Sequence, residues 1–297
     1  MATFTATPAN WTNASSDANF RAWGLYVSTQ LAAVGHIQTA DTGQINWTTV
    51  SNPGATNTYA GYEIWRFADA LQATAPVFIK IEYGESATID APSMRIQFGS
   101  GSDGAGALTG NLSSQYLFTC APVAGACVVH GSGSTNRFVM CAGYTAAGGF
   151  GMWGGWERSR DANGDVTAEA VLFMSNGLGS ASSTSVNAKQ VVVWSTTLGT
   201  LTASLTVAPA IFPLGATATT GAQTIVAPVL FNKGVFMNPG LNFVGYFTEN
   251  ISPTGTPSVY MYGASHTYYA LPATSAISAG GWQGPGAGTE ALAILYE

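Results

Sequence analysis

Apolar side chains at Phe20, Trp23, Val27, Leu31 and Val34 recur at spacings of three and four residues, the stripe of an amphipathic helix. Ser15, Ser16 and Asp17 supply cap and first-turn residues and Gly35 a stop, so the pattern predicts a helix over about residues 17–34. Leu25 and Tyr26 widen the stripe. Gly24 costs such a helix about 1 kcal/mol relative to Ala, and in exchange it permits close approach of a strand or a second helix. Further along, the period changes to two. Val77, Ile79, Ile81 and Tyr83 alternate with Phe78, Lys80 and Glu82, which predicts a strand in an antiparallel sheet with one covered face. YEIWRF precedes it as a partner strand, and SMRIQFG follows with Met94, Ile96 and Phe98 inward. The helix stripe is the natural cover for that face. Between helix and sheet, QINWTTV is expected as a short strand flanked by the turns ADTG and SNPG.

The tract GSGSDGAGALTGN, Gly99 to Asn111, reads as a flexible loop and a break in composition. It lacks the helix and the Lys that a phosphate-cradling loop requires. Strands are then expected at Tyr116–Cys120, Cys127–His130, Arg137–Ala142, Phe150–Ser159 and Val166–Met174, and in the runs KQVVVWST, LTASLTVAP, QTIVAPVLFN, LNFVGYFTE, SVYMYG, HTYYALP and ALAILYE. Short strands between Gly-rich turns argue for a sandwich or barrel rather than βαβ units. The expected fold class is mainly β (α+β): antiparallel β-sandwich or barrel-like sheets with one N-terminal amphipathic helix packed on a sheet. The expected organisation is an arm, helix and strands over 1–98, a Gly-rich loop over 99–111, and a β-rich region over 112–297, either separate or continuous with the first. Residues 1–14, rich in Thr, Ala, Pro and Asn, suit either an extended arm lying against another surface or a mobile tail. No repeat of solenoid length and no heptad array is present.

Charge changes the picture more than length does. The 297 residues carry 9 basic and 15 acidic side chains against 36 glycines, well below the roughly 25% charged residues of an average soluble domain. Such a surface suits a chain covered by copies of itself or by partner subunits, because interface cores are depleted of Lys, Glu and Asp; the alternative is a monomer with a neutral Ser/Thr/Asn surface. From Ala170 onward only Lys189, Lys233, Glu249, Glu290 and Glu297 are charged, making that third the most interface-like. The formal net charge of −6 and the scattered basic residues argue against nucleic acid as a partner. The first residues lack a Sec-type leader pattern and no apolar run reaches the length of a membrane span, so neither export by that route nor membrane insertion is expected.

Candidate chemistry is sparse, and no catalytic, cofactor-binding or metal-ligating residue is nominated. Asp161, Asn163, Asp165, Thr167 and Glu169 alternate as in the front of a calcium loop, yet the Gly at position six and the Glu at position twelve are missing. Asn163-Gly164 is better explained as a hairpin turn. His36, His130 and His266 lack ligand spacing. Glu157, Asp161, Asp165 and Glu169 are the carboxylates a glycosidase would draw on. Aromatic clusters at Phe150, Trp153 and Trp156, at Tyr260 and Tyr262, and at Tyr268 and Tyr269 suit core or interface, with sugar stacking as the alternative. Cys120, Cys127 and Cys141 read as buried thiols, a Cys120–Cys127 bridge being the alternative.

FRAWGLYVSTQLAAVGHIQTADTGQINWTTV and YEIWRFADALQATAPVFIKIEYGES, together spanning about residues 19–86, resemble structural proteins encoded among the virion genes of tailed bacteriophages. The resemblance implies a non-enzymatic, many-copy virion component of tail, baseplate, neck or fibre. Its implied partners are copies of itself and other virion proteins, with host-surface glycan as a further contact, and it implies no cofactor. It places the chain in the virion after synthesis in the host cytoplasm. A capsid decoration protein and a glycan-binding or glycan-cleaving adhesin are the alternatives. No functional residue is carried across.

Overall fold

The computed structural model describes residues 2–10, 16–85, 92–119, 126–144, 149–160, 165–176, 188–196 and 199–200, and the strand segments 224–225, 230–232, 235–237, 244–248, 258–261, 264–270 and 291–295. Among the described residues the fold is mainly β with antiparallel sheets and one α-helix, α1 (Asp17–Ala33). Among the described residues each sheet is open, and none closes into a barrel. The Ser16 hydroxyl caps α1 by accepting from the Asn19 amide at 3.2 Å, and Gly35, at φ 100°, takes the left-handed turn that ends it. Phe20, Trp23, Val27 and Leu31 of the predicted stripe are buried.

The helix covers a five-stranded sheet. In spatial order this is β2 (Ile37–Gln38), β3 (Tyr59–Arg66), β4 (Phe78–Glu85), β5 (Pro92–Gly99) and β8 (Tyr116–Thr119). Glu63 pairs with Ile81 and Ile81 with Ile96, so the side chains two residues either way share the covered face. Ile79, Ile81, Tyr83, Met94, Ile96 and Phe98 are all fully buried, as their alternation predicts. QINWTTV does not form a strand. The Asn46 side chain accepts from the Thr48 amide at 3.0 Å and hydroxyl at 2.7 Å, and its carbonyl accepts from the amides of Thr49 and Val50. Local bonding of this kind competes with a sheet ladder, and the resulting turn drops Trp47 into the core against Phe20 and Tyr83.

The Gly-rich tract is also not a simple loop. It forms a ribbon of β6 (Gly101–Ser102) and β7 (Leu108–Thr109), with Gly104, Gly106 and Gly110 at positive φ. The Asp103 carboxylate accepts from the amides of Ala105 and Ala107 at 2.8 and 2.9 Å and so closes the turn. The signal for a flexible loop was glycine content, but these glycines satisfy specific backbone angles.

A seven-stranded sheet packs on the same core. Its order is β1 (Ala2–Asn10), β9 (Ala126–Ser134), β10 (Arg137–Tyr144), β11 (Gly149–Arg160), β12 (Val166–Asn176), β13 (Ala188–Ser195) and β14 (Gly199–Thr200). The amino-terminal arm is thus ordered as an edge strand on β9. One face supplies Val129, Phe138, Met140, Trp156, Leu172 and Trp194 to a core continuous with the helix and the first sheet. Phe98 meets Trp194 at 5.9 Å across it. Strands cross between the regions on either side of 99–111: β1 joins the later sheet and β8 the earlier one. The opposite face carries Val139, Cys141 and Val171, which are buried as well, and β21 (Ala291–Leu295) lies against β9 and β10. That strand belongs to a further five-stranded sheet with β15 (Thr224–Ile225), β18 (Val244–Thr248), β20 (Ala264–Ala270) and β19 (Ser258–Met261). A separate hairpin joins β16 (Leu230–Asn232) to β17 (Val235–Met237). LTASLTVAP lies outside the described residues.

Candidate functional site

Glu63 is the most concentrated polar feature. It stands on the covered face of β3 and is buried beneath α1. Its Oε1 accepts from the Ser28 hydroxyl at 2.7 Å and the Trp47 indole at 2.9 Å; its Oε2 accepts from the Tyr83 hydroxyl at 2.8 Å and the Trp65 indole at 3.1 Å. A carboxylate offers four lone-pair sites, and each is taken by a neutral donor. Each oxygen receives one indole N–H and one hydroxyl. Burial, followed by the Glu63 charge and hydrogen bond, raises the Tyr83 phenol well above its ordinary range. Gly24 makes the cluster possible, because a Cβ there would overlap the Trp47 ring. The cluster welds helix, connecting turn and two strands together, and its carboxylate has no lone pair left for a substrate or metal.

A second buried cluster joins the two sheets. Arg158 of β11, 1% exposed, donates from Nε and Nη2 to Asp69 at 2.8 and 3.1 Å and from Nη1 to the Ala168 carbonyl at 3.1 Å. Its guanidinium lies 5.2 Å from the Phe67 ring centre. Beside it, the His36 Nε2 accepts from the Trp156 indole at 3.1 Å. This fixes the proton on Nδ1, which is buried among Phe67, Phe138 and Trp156 without a hydrogen-bond partner. Burial lowers the His36 pKa to about 3, against the opposing pull of the Asp69 charge.

The outer face of the first sheet carries the remaining charged ladder. Arg95 Nε bonds Glu82 at 2.5 Å and its guanidinium covers Tyr59 at 4.2 Å; Lys80 lies 3.7 Å from Glu82, covers Tyr62 at 4.6 Å and donates to the Gly106 carbonyl at 2.9 Å. The Glu82 hydrogen bond, partly offset by desolvation, raises the Arg95 pKa. Where the ribbon docks, Asp41 accepts from the Ser102 hydroxyl and, at 3.2 Å, from the Gly106 amide. Burial alone would raise the Asp41 pKa, and these bonds with those from Thr39 and Gly104 outweigh it and lower it. The charges here are spent on one another and on backbone groups.

Among the described residues, those singled out in the sequence do not converge. Trp156 is buried against His36, so it presents no ring for sugar stacking. Glu157 is buried and stands opposite Arg137 in the β10–β11 register. Asp165 is exposed, and Arg160 stands opposite Val166 in the antiparallel β11–β12 register; Asp161 and Asn163 lie outside the described residues. So do the side chains of Phe150, Trp153, Tyr260, Tyr268 and Tyr269, of Cys127 and of His266; Cys120 and Tyr262 lie outside them altogether. Cys141 is buried. His36 and His130 sit in different settings, His130 Nδ1 lying 2.7 Å from the Thr5 hydroxyl. Among the described residues no group of three or more His, Cys, Asp or Glu is placed to hold a metal ion. Sequence reasoning missed Glu63. The available signal was an acidic residue on the apolar face of YEIWRF, two residues before a Trp. Comparison with known proteins finds no matching family model and no matching curated protein.

Proposed function

We propose that this chain is a non-enzymatic structural component of a bacteriophage virion, associated with its tail, baseplate, neck or fibres, that works by packing against copies of itself and against other virion proteins. The observation that carries the reading is where the charge sits. Of few charged side chains, Asp41, Glu63, Glu85, Arg137, Glu157 and Arg158 are buried. Among the described residues the outside is left poorer in charge than the composition suggests. A soluble monomer ordinarily keeps about a quarter or more of its surface as Lys, Arg, Asp and Glu, whereas surfaces that pack together shed them. The buried ion pair and the Glu63 cluster tie helix and sheets into a stiff body, as a packed subunit requires. The resemblance of residues 19–86 to tailed-phage structural proteins supplies the virion, and contact with a host-surface glycan is a further role of the same neutral exterior. The test is labelling of purified phage particles with antibody raised against the folded chain. Regular decoration of the tail or its appendages is expected, and particles of full composition that lack the chain would overturn the proposal.

A further inference from the structure

The strands β9 to β14 are consecutive neighbours, each paired with the next, and β1 is the exception: it is added to the outside of β9 from more than a hundred residues away. β1 is held as a peptide is held on a sheet edge. Backbone pairing runs from Ala2 opposite Gly133 to Asn10 opposite Ala126, with a register shift between Ala6 and Ala9 around Pro8. Phe4 is its buried anchor. Its ring stacks on Phe138 at 5.6 Å and meets Tyr26 edge-on at 6.2 Å, over a floor opened by Gly131, where a Cβ would overlap the Phe4 ring. On the other face Thr5 and His130 are joined side chain to side chain. The edge of β9 is therefore a formed socket for one uncharged segment, ATFTA.

We infer that in the assembled state this socket takes the β1 strand of a neighbouring copy, so that subunits are stapled by strand exchange. The occupant is a second copy of this chain, because the socket is fitted to that segment in register, anchor and side-chain bond. Exchange reproduces every one of those contacts, so the two arrangements differ only in how the chain is connected. Packing many copies together raises the local concentration of strands and favours the exchanged form. Between Asn10 and Ser16 the chain spans roughly 20 Å at full extension, which limits the donor to an immediate neighbour. The inference rests on the many-copy reading above.

The test uses two full-length variants, Thr5→Cys and His130→Cys, each with the native Cys120, Cys127 and Cys141 replaced by Ala so that no other thiol can pair, carrying different tags and co-expressed. Facing Cα atoms in an antiparallel pair lie about 4.5–5.5 Å apart, within disulfide range, and with one new cysteine per chain a 5–130 bridge can form only between chains. After mild oxidation, a covalent dimer containing both tags is expected to hold about half of the protein, the ceiling for two variants assembling at random, and to be missing from either variant oxidised alone. An intermolecular bridge in Thr5→Cys alone would show β1 pairing with β1 and overturn the exchange. So would the doubly substituted chain closing entirely within itself while sedimenting as the same oligomer as the parent, a result that leaves the many-copy reading standing. A parent chain sedimenting as a monomer removes that reading and the exchange with it.

Discussion

Glu63→Gln is the sharpest perturbation of the helix-on-sheet unit because the substitution keeps shape and changes only donors and acceptors. Each carboxylate oxygen faces one hydroxyl and one indole N–H. The hydroxyls of Ser28 and Tyr83 can rotate to accept, but an indole only donates. Whichever way the carboxamide is turned, its NH2 therefore opposes the N–H of Trp47 or Trp65. A buried donor left unsatisfied costs about 1–3 kcal/mol. The remaining bonds also lose their charge assistance, which is worth roughly half their strength. Together these set an expected loss of about 3 kcal/mol. Urea unfolding followed by tryptophan fluorescence, at fixed protein concentration, reads it as a lower midpoint with unchanged slope. Adding Trp47→Phe removes one opposed N–H, so the double variant should be more stable than the sum of the two single losses allows. A Glu63→Gln chain within about 0.5 kcal/mol of the parent, the range of an ordinary surface substitution, would refute the four-donor account.

Two further predictions follow from the same packing. His36 is neutral when folded, with its pKa lowered to about 3, so the unfolded chain binds the extra proton first as pH falls below about 6.5, and stability is lost from there down towards 3. At pH 4.5 the loss relative to neutral pH is about 3 kcal/mol; His130, also lowered by burial, adds in the same direction. His36→Gln should flatten the stability profile between pH 7 and 4.5 in urea titrations, and an unchanged slope would contradict the assignment. Gly24→Ala should lower the melting temperature although Ala is the better helix former by about 1 kcal/mol, because overlap with Trp47 forces repacking at a cost of about 1–3 kcal/mol.

What the sequence disclosed was local and periodic. The stripe from Phe20 to Val34 predicted a helix ending at Gly35, and the helix ends there. The alternation of Val77 to Tyr83 named the buried face of β4 residue by residue. What it concealed depends on partners far apart along the chain. Asn46 bends QINWTTV into a turn through its own side chain, and the apolar character of that segment then serves Trp47 rather than a strand. The Gly-rich tract becomes a ribbon because Asp41, sixty residues earlier, and Lys80 hold it down. Glu63 shares the alternating face of β3 with Trp65, but it also draws on Ser28, Trp47 and Tyr83 from three other segments, and no spacing rule links those to it. The arm at residues 2–10 shows the same limit: its composition suits an extended strand, but only the fold reveals β9 as its seat.

The assembly reading is tested most directly by sedimentation velocity of the purified full chain across a range of protein and salt concentrations. A neutral interface has little charge to screen, so the account predicts a discrete homo-oligomer whose sedimentation coefficient stays constant from low to about 1 M salt. A monomer at every concentration would contradict it.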